Sequence, residues 1–187
     1  MKAVVFVDVQ EDFVTGVLGS EAARAVAPKI VRFARRCAAK GFRLYATMDT
    51  HGEDYMQTLE GKNLPVRHCV EQTDGWYVVP ELRQILDGRC TFVQKPTFGS
   101  FDLADVIRED AASRDGMVQE IVLVGFCSAI CVLANAVILR ARFPNVRIAV
   151  YDNLCACVSD ESHEAAMKVL RMQQVEVRHI AGASART

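Results

Sequence analysis

The stretch AVVFVDV at residues 3–9 determines the fold of this chain. Its nearly continuous run of apolar and β-branched side chains is typical of a parallel strand that helices cover on both faces. Asp8 places a carboxylate at the carboxyl end of this run. Open parallel sheets bind their ligands at that edge. The stretch therefore predicts a central strand that ends in a functional acid.

Strand and helix patterns alternate along the rest of the chain. Pro28 suits the first turn of a helix that ends before Gly41. Right-handed crossovers between the strands predict an α/β fold, a doubly wound six-stranded mainly parallel sheet with helices on both faces, as in Rossmann-like proteins. The other strands are expected at residues 42–48, 91–94, 120–124, 146–151 and 175–180, and the other helices at 80–86, 100–109, 129–141 and 159–173.

Length and composition limit the class of protein. The 187 residues, 51% of them hydrophobic, fit one globular domain. We expect this domain at residues 1–180 and a flexible tail at 181–187. A net charge of −1 gives no broad basic field, so no nucleic-acid partner is expected. No apolar run reaches the roughly 18 residues of a membrane span, so we expect no membrane partner and a cytoplasmic location.

Three reactive side chains follow predicted strands. Asp8 ends the first strand, Lys95 follows residues 91–94, and Cys131 lies in the turn after residues 121–125. An acid, a cation and a thiol that meet at one sheet edge suit covalent chemistry, in which the thiol attacks an electrophilic carbon. Taken singly, each residue could instead be a solvated carboxylate, a surface charge or a core cysteine. The set of three predicts a cysteine hydrolase.

A second group of residues has the composition of a metal site. Asp49 and His51 are one residue apart at a strand end, and His68 lies in the long segment that follows. Nitrogen and oxygen ligands of this kind suit Zn, Mn or Fe. Asp54 and Glu60 are possible further ligands. The alternative is that the histidines are exposed on a loop.

The chain resembles the isochorismatase-like superfamily of cysteine hydrolases, nearest the nicotinamidase branch. The resemblance rests on DVQEDF at residues 8–13, on Lys95 and on GFCSAICV at residues 125–132. It implies that Asp8 is the general base, that Lys95 tunes the pKa of the thiol and that Cys131 is the nucleophile. Lys95 and the start of the following helix would lower the thiol pKa, so that attack proceeds near neutrality.

The resemblance also implies details of the site. It places a cis peptide between Phe126 and Cys127, which would aim the backbone N–H groups of Cys127 and Cys131 at the substrate oxyanion. It assigns Asp49, His51 and His68 to a divalent metal, Zn, Mn or Fe, that binds the ring nitrogen of the substrate. No organic cofactor is expected.

Three aromatic residues are candidates for pocket walls. Phe13 directly follows the aspartate motif, Trp76 lies shortly after the predicted metal ligands, and Phe98 lies shortly after Lys95. Core positions are the alternative for all three. Phe13 and Trp76 are the predicted substrate-binding residues.

The expected reaction is hydrolysis of a C–N bond in a small amide, nicotinamide to nicotinate and ammonia, through a covalent thioester. Ala129 stands where the family often has an acid, and the family's tryptophan before the His-Cys pair is absent from NLPVR at residues 63–67. An N-carbamoyl or ureido amidohydrolase, a non-thiol isochorismatase, a non-catalytic ligand-binding or assembly module and a thiol redox protein are the alternatives.

The predicted helix at residues 129–141 is apolar almost all round, whereas a sheet covers only one face of it. Family relatives commonly form dimers or tetramers. We therefore expect a homodimer or homotetramer. The alternative is that residues 49–88 or the C-terminal segment cover the second face.

Overall fold

A computed structural model of the chain describes residues 1–113 and 116–181. Within these residues six strands form one sheet in which every neighbouring pair is parallel. The strands are β1 (Lys2–Val7), β2 (Arg43–Asp49), β3 (Cys90–Lys95), β4 (Glu120–Phe126), β5 (Arg147–Ala156) and β6 (Glu176–Arg178). Their order in the sheet is β3-β2-β1-β4-β5-β6, so β2 and β3 follow on one side of β1, and β4, β5 and β6 follow on the other.

Helices cover both faces of the sheet. The helices are α1 (Glu11–Val14), α2 (Glu21–Ala39), α3 (Leu59–Asn63), α4 (Pro80–Leu86), α5 (Phe101–Ala112), α6 (Leu133–Arg142) and α7 (Asp160–Met172). Val4 and Phe6 of β1 pack in a core with α1, α2 and α4, whereas Val5 and Val7 pack with α5, α6 and α7. The predicted doubly wound α/β fold is confirmed, because β1 supplies side chains to two separate cores.

The predicted start of the first long helix is wrong. Helix α2 begins at Glu21, because the Ser20 hydroxyl accepts a hydrogen bond from the Ala23 N–H at 3.0 Å and caps the helix. Pro28 therefore lies inside the helix. Its missing N–H leaves the carbonyl of Arg24, one turn earlier, without the usual helical partner.

Other boundaries also differ from the expectation: β6 is shorter than the predicted 175–180, α5 ends later than the predicted 109, and two more differences lie near Cys131. The helix predicted from residue 129 begins as a π-helical turn, Ser128–Val132, and becomes α-helical only at α6. Strand β5 extends to Ala156, beyond an irregular register opposite residues 123–125. Both differences lie next to Cys131, where the backbone departs from regular geometry.

One face of the helix after β4 is partly uncovered in the single chain. Val137 is 37% exposed and Ile130 is 36% exposed, and Phe101 of α5 is 77% exposed. The homodimer or homotetramer remains a prediction.

The expected tail, apart from Ala181, lies outside the described residues. In the described ranges no helix is both long enough and apolar enough to cross a membrane.

Candidate active site

Asp8, Lys95 and Cys131 come together at the carboxyl edge of the sheet. The Lys95 Nζ atom lies 2.8 Å from Asp8 Oδ2 and 3.7 Å from Cys131 Sγ. All three side chains are buried, and Lys95 is only 1% exposed. The structure thus assembles the predicted triad, whose catalytic roles remain predictions.

Two backbone features bring the nucleophile turn against β1. Gly125 has a φ of +130°, and a Cβ atom there would lie 2.1 Å from the carbonyl oxygen of Val7. Only glycine permits this close approach. Asp8 has a φ of +49°, and Thr47 of the neighbouring strand donates its hydroxyl to Asp8 Oδ1 at 2.7 Å. The end of β4 and the carboxylate of Asp8 are thereby held next to each other.

The second oxygen of Asp8 has a different environment. Asp8 Oδ2 is buried and forms an ion pair with Lys95, but it accepts no well-directed hydrogen bond from the described residues. This oxygen therefore retains the capacity to take a proton.

The direction predicted for the pKa shift of Cys131 is wrong. Burial, followed by the charge of Asp8, raises the pKa of Cys131 well above its usual value, and the attraction of Lys95 is too weak to reverse this. Burial also raises the pKa of Asp8, although Lys95 opposes the shift. A buried pair of this kind places one proton within reach of both groups, and attack by sulfur requires Asp8 to take it.

Four potential metal ligands form a cluster beside the triad. Their ligand atoms, from Asp49, His51, Glu60 and His68, all lie within 4.8 Å of one another. Both histidines are buried, so the alternative of exposed loop histidines is wrong. Glu60 joins the predicted three, whereas Asp54 is exposed and lies outside the cluster.

The cluster has the donor atoms that a divalent cation prefers, and two of their separations suit such an ion. The two histidine Nε2 atoms lie 3.2 and 3.4 Å from Asp49 Oδ2. Ligand atoms at about 2.0–2.2 Å from a tetrahedral Zn²⁺ lie roughly 3.3 Å apart, so these separations fit. His68 donates its Nδ1–H to the carbonyl of Val66 at 2.8 Å, which leaves Nε2 as the ligand atom.

Asp49 connects the cluster to the triad. Its Oδ2 atom faces the two histidines, and its Oδ1 atom accepts a hydrogen bond from Lys95 Nζ at 3.2 Å. Although burial opposes ionisation, His51, His68 and Lys95 hold the pKa of Asp49 below its usual value. Lys95 therefore lies between the triad carboxylate and the carboxylate of the metal cluster.

Gln10 positions Asp49 and was not assigned a role from the sequence. Its side-chain amide donates to the Asp49 carbonyl at 2.9 Å and accepts from the Asp49 N–H at 2.7 Å. The same amide donates to the carbonyl of Trp76 at 2.7 Å. The sequence signal that could have identified Gln10 is its position in the DVQEDF motif, two residues after Asp8.

Aromatic rings surround the histidine pair. Phe13 contacts His68 edge-on with ring centroids 5.7 Å apart, which is consistent with a pocket wall. Tyr55, which the sequence analysis did not identify, lies 4.6 Å from the His51 ring and 5.0 Å from the His68 ring. These contacts fix the orientation of both imidazoles.

The other two aromatic candidates are less enclosed. Trp76 donates its indole N–H to the Thr50 hydroxyl at 2.8 Å, which ties its ring to the loop between Asp49 and His51. Phe98 is 47% exposed. A role for Trp76 in substrate binding remains a prediction.

The nucleophile turn has the cis peptide that the resemblance implied, between Phe126 and Cys127. The next side chain, Ser128, is fully buried, and its Oγ lies 2.9 Å from Nδ1 of His163 on α7. His163 thus supports the turn that carries Cys131. His179 pairs with Asp152 at the surface.

Asn135 and Asp12 are further positioning residues that the sequence analysis missed. Asn135 donates to the Cys131 carbonyl at 2.8 Å and accepts from the Ser100 N–H at 3.0 Å. Asp12 accepts from the Cys69 N–H at 2.7 Å, next to the metal-cluster histidine. Each of them joins a site segment to an element distant in sequence.

Comparison with solved structures places this geometry among known folds. A pyrazinamidase of Pyrococcus horikoshii in complex with zinc superposes with a TM-score of 0.81 at 23% identity, over 96% of this chain and 99% of that one. A nicotinamidase of Bacillus subtilis gives 0.81 at 24% identity, over 95% and 99%. An N-carbamoylsarcosine amidase of Thermoplasma acidophilum gives 0.76 at 21% identity, over 97% and 99%. No curated protein matches the sequence.

The identities to these structures are low, so they show a shared fold. A sequence model of one family extends the comparison over nearly the whole chain, because the model described as the isochorismatase domain matches residues 2–181. The match includes the triad and all four potential metal ligands. The chain therefore belongs to the isochorismatase domain family of hydrolases.

Proposed function

We propose that the protein hydrolyses the C–N bond of a small aromatic amide, nicotinamide to nicotinate and ammonia, through a thioester on Cys131. The observation that carries the proposal is the position of Lys95 between two sites. Its Nζ atom is 3.7 Å from the Cys131 thiol and 3.2 Å from Asp49 of the metal cluster. A substrate whose ring nitrogen faces the cluster would present its carboxamide carbon to the thiol.

The first half of the reaction forms the thioester. As Cys131 Sγ attacks the amide carbon, its proton passes to Asp8 Oδ2, and Lys95 stabilises the developing thiolate. The backbone N–H groups of Cys127 and Cys131 would hold the oxyanion, and loss of one such donor typically costs about 3 kcal/mol in barrier height. Asp8 then returns the proton to the departing nitrogen as the C–N bond breaks, which releases ammonia.

The second half restores the enzyme. Asp8 takes a proton from water, and the resulting hydroxide attacks the thioester carbon. The C–S bond breaks, the carboxylic acid leaves, and Asp8 gives its proton back to Cys131. A divalent cation on the cluster would act as a Lewis acid that binds and orients the substrate ring.

An N-carbamoyl or ureido substrate is the second candidate. The segment before His68 lacks the tryptophan of the family motif. Phe13, which contacts His68, therefore has no tryptophan from this segment opposite it as a second stacking wall. A substrate without a ring does not require two stacking walls. The triad chemistry is the same for both substrate classes, because each contains a carbonyl carbon bonded to nitrogen.

Ammonia release from nicotinamide, an N-carbamoyl amino acid and an unrelated ureide tests the proposal. We expect the fastest turnover with nicotinamide and none above background for Cys131→Ala. Cys37→Ala is the matched control, because Cys37 is equally buried but lies in α2, in the other core. Turnover of the carbamoyl substrate alone would support the second candidate, and no turnover of any substrate would support a non-catalytic module.

A further inference from the structure

A second cavity lies at the amino edge of the sheet, opposite the triad. It encloses about 470 Å³, and Lys2, Glu120 and Arg147 line it from the first residues of β1, β4 and β5. Strand β1 separates it from Asp8 by roughly 20 Å, at about 3.3 Å per residue. The cavity is therefore distinct from the candidate active site.

The cavity combines an apolar floor with a cationic rim. Phe33, Cys37 and Val122 of its lining are buried, whereas the rings of Phe42 and Tyr151 are partly exposed. Five cations also line the cavity, four of them from β1, α2, β5 and β6 and the fifth from the residue that follows α2. They are Lys2, Arg36, Lys40, Arg147 and Arg178.

The charge of the rim is poorly compensated. Glu120 is the carboxylate in the lining, and Arg178 neutralises it at 2.8 Å while also pairing with Glu176. Within residues 1–113 and 116–181, the side chains of Arg36, Lys40 and Arg147 form no ion pair. This local excess of positive charge contrasts with the net charge of −1 of the whole chain. Such an excess over a recessed apolar floor attracts and retains an anion.

We propose that this cavity binds a small organic phosphate that carries a planar ring, of mononucleotide size. Guanidinium and ammonium groups are the preferred partners of phosphate oxygens. Lys2 lies over the Phe42 ring at 5.8 Å and Phe33 packs edge-on with Tyr151, and the partly exposed remainder of these two rings offers apolar surface for a planar ring. The volume lies within the range of about 300–1,000 Å³ that is typical of small-molecule sites. The phosphate would contact the rim and the ring would cover the floor.

Calorimetric titration with adenosine monophosphate tests the proposal, and adenosine and inorganic phosphate serve as separate arms. We expect saturable binding of the nucleotide and at least about tenfold weaker binding of each fragment, because each lacks one of the two contacts. Binding should weaken as salt concentration rises, since the rim cations are exposed. This result would not depend on the proposed amidase activity.

Matched double variants locate the site. Arg36→Gln/Arg147→Gln should weaken nucleotide binding at least about tenfold, whereas Lys168→Gln/Arg171→Gln, on the opposite face in α7, should leave it unchanged. Thermal melting of both variants checks that they fold. Absence of nucleotide binding, equal loss in the two variants, or affinity for adenosine or phosphate alone that equals that for the nucleotide would overturn the proposal.

Discussion

The two edges of the sheet differ in how they hold charge. At the carboxyl edge Lys95 lies between Asp8 and Asp49, and each of these side chains is almost completely buried. At the amino edge the exposed cations Arg36 and Arg147 have no ion pair within the described residues. A buried charge requires a fixed partner, whereas water solvates an exposed one. The proposed catalysis depends on side chains that burial fixes in place, whereas the proposed ligand site at the amino edge depends on exposed cations.

The two edges should differ most in how removal of one cation changes the stability of the protein. Lys95→Met leaves the buried carboxylate of Asp8 without its ion-pair partner and takes one of three partners from Asp49, so we expect a loss of about 3–5 kcal/mol in the free energy of unfolding. Turnover should fall at least about a hundredfold, because the thiolate loses its stabilising charge. Arg147→Gln, the matched change at the amino edge, should alter stability by no more than about 0.5 kcal/mol. Urea unfolding and ammonia release measure both effects, and equal destabilisation by the two variants would remove the distinction.

The candidate metal site lies at the buried carboxyl edge, and metal binding there should depend on its four ligand side chains. His51→Ala should lower the bound Zn²⁺, Mn²⁺ or Fe²⁺ after loading, since it removes one of four clustered donors. His179→Ala is the control, because His179 lies at the surface in an ion pair with Asp152. Elemental analysis of the two proteins decides the matter. Equal metal content in both, or none in either, would contradict the assignment, and treatment with a chelator would then leave activity unchanged.

The pH dependence of thiol reactivity tests how the triad shares its proton. Because burial and Asp8 raise the pKa of Cys131, alkylation by iodoacetamide should keep increasing above pH 8.5, the approximate value of a free thiol. Asp8→Asn removes one of these causes, so the alkylation profile should move to lower pH while turnover is lost. If alkylation of Cys131 in the native protein increased at lower pH than alkylation of a free thiol, the low pKa expected from the sequence would be right and the raised pKa would be wrong.

Residues at the ends of strands were predictable from the sequence. Asp8 and Lys95 each end an apolar run, and parallel strands bring such ends to one edge. The spacing of Asp49 and His51 identified the metal cluster for a similar reason. Both inferences require only local patterns and the rule that parallel strands share a direction.

Residues that act across long sequence separations were not predictable in this way. Gln10 binds the backbone of Asp49 and Trp76, 39 and 66 residues away. Asn135 joins α6 to Ser100 by a similar long-range bond. The sign of the Cys131 pKa shift also could not be read from residue types, because it depends on how completely the thiol is buried. The predicted helix start at Pro28 was wrong because a proline is rare inside a helix and was therefore assigned to the first turn. The capping side chain of Ser20 marks the actual start.

The mechanism proposed for the buried edge depends on a covalent intermediate on Cys131. Rapid quenching of the protein during turnover of nicotinamide, followed by mass spectrometry of its peptides, tests this claim most directly. We expect a nicotinoyl group on the peptide that contains Cys131, present during turnover and absent once the substrate is exhausted. Turnover of nicotinamide with no acyl group on Cys131, or with an acyl group on another residue, would contradict it.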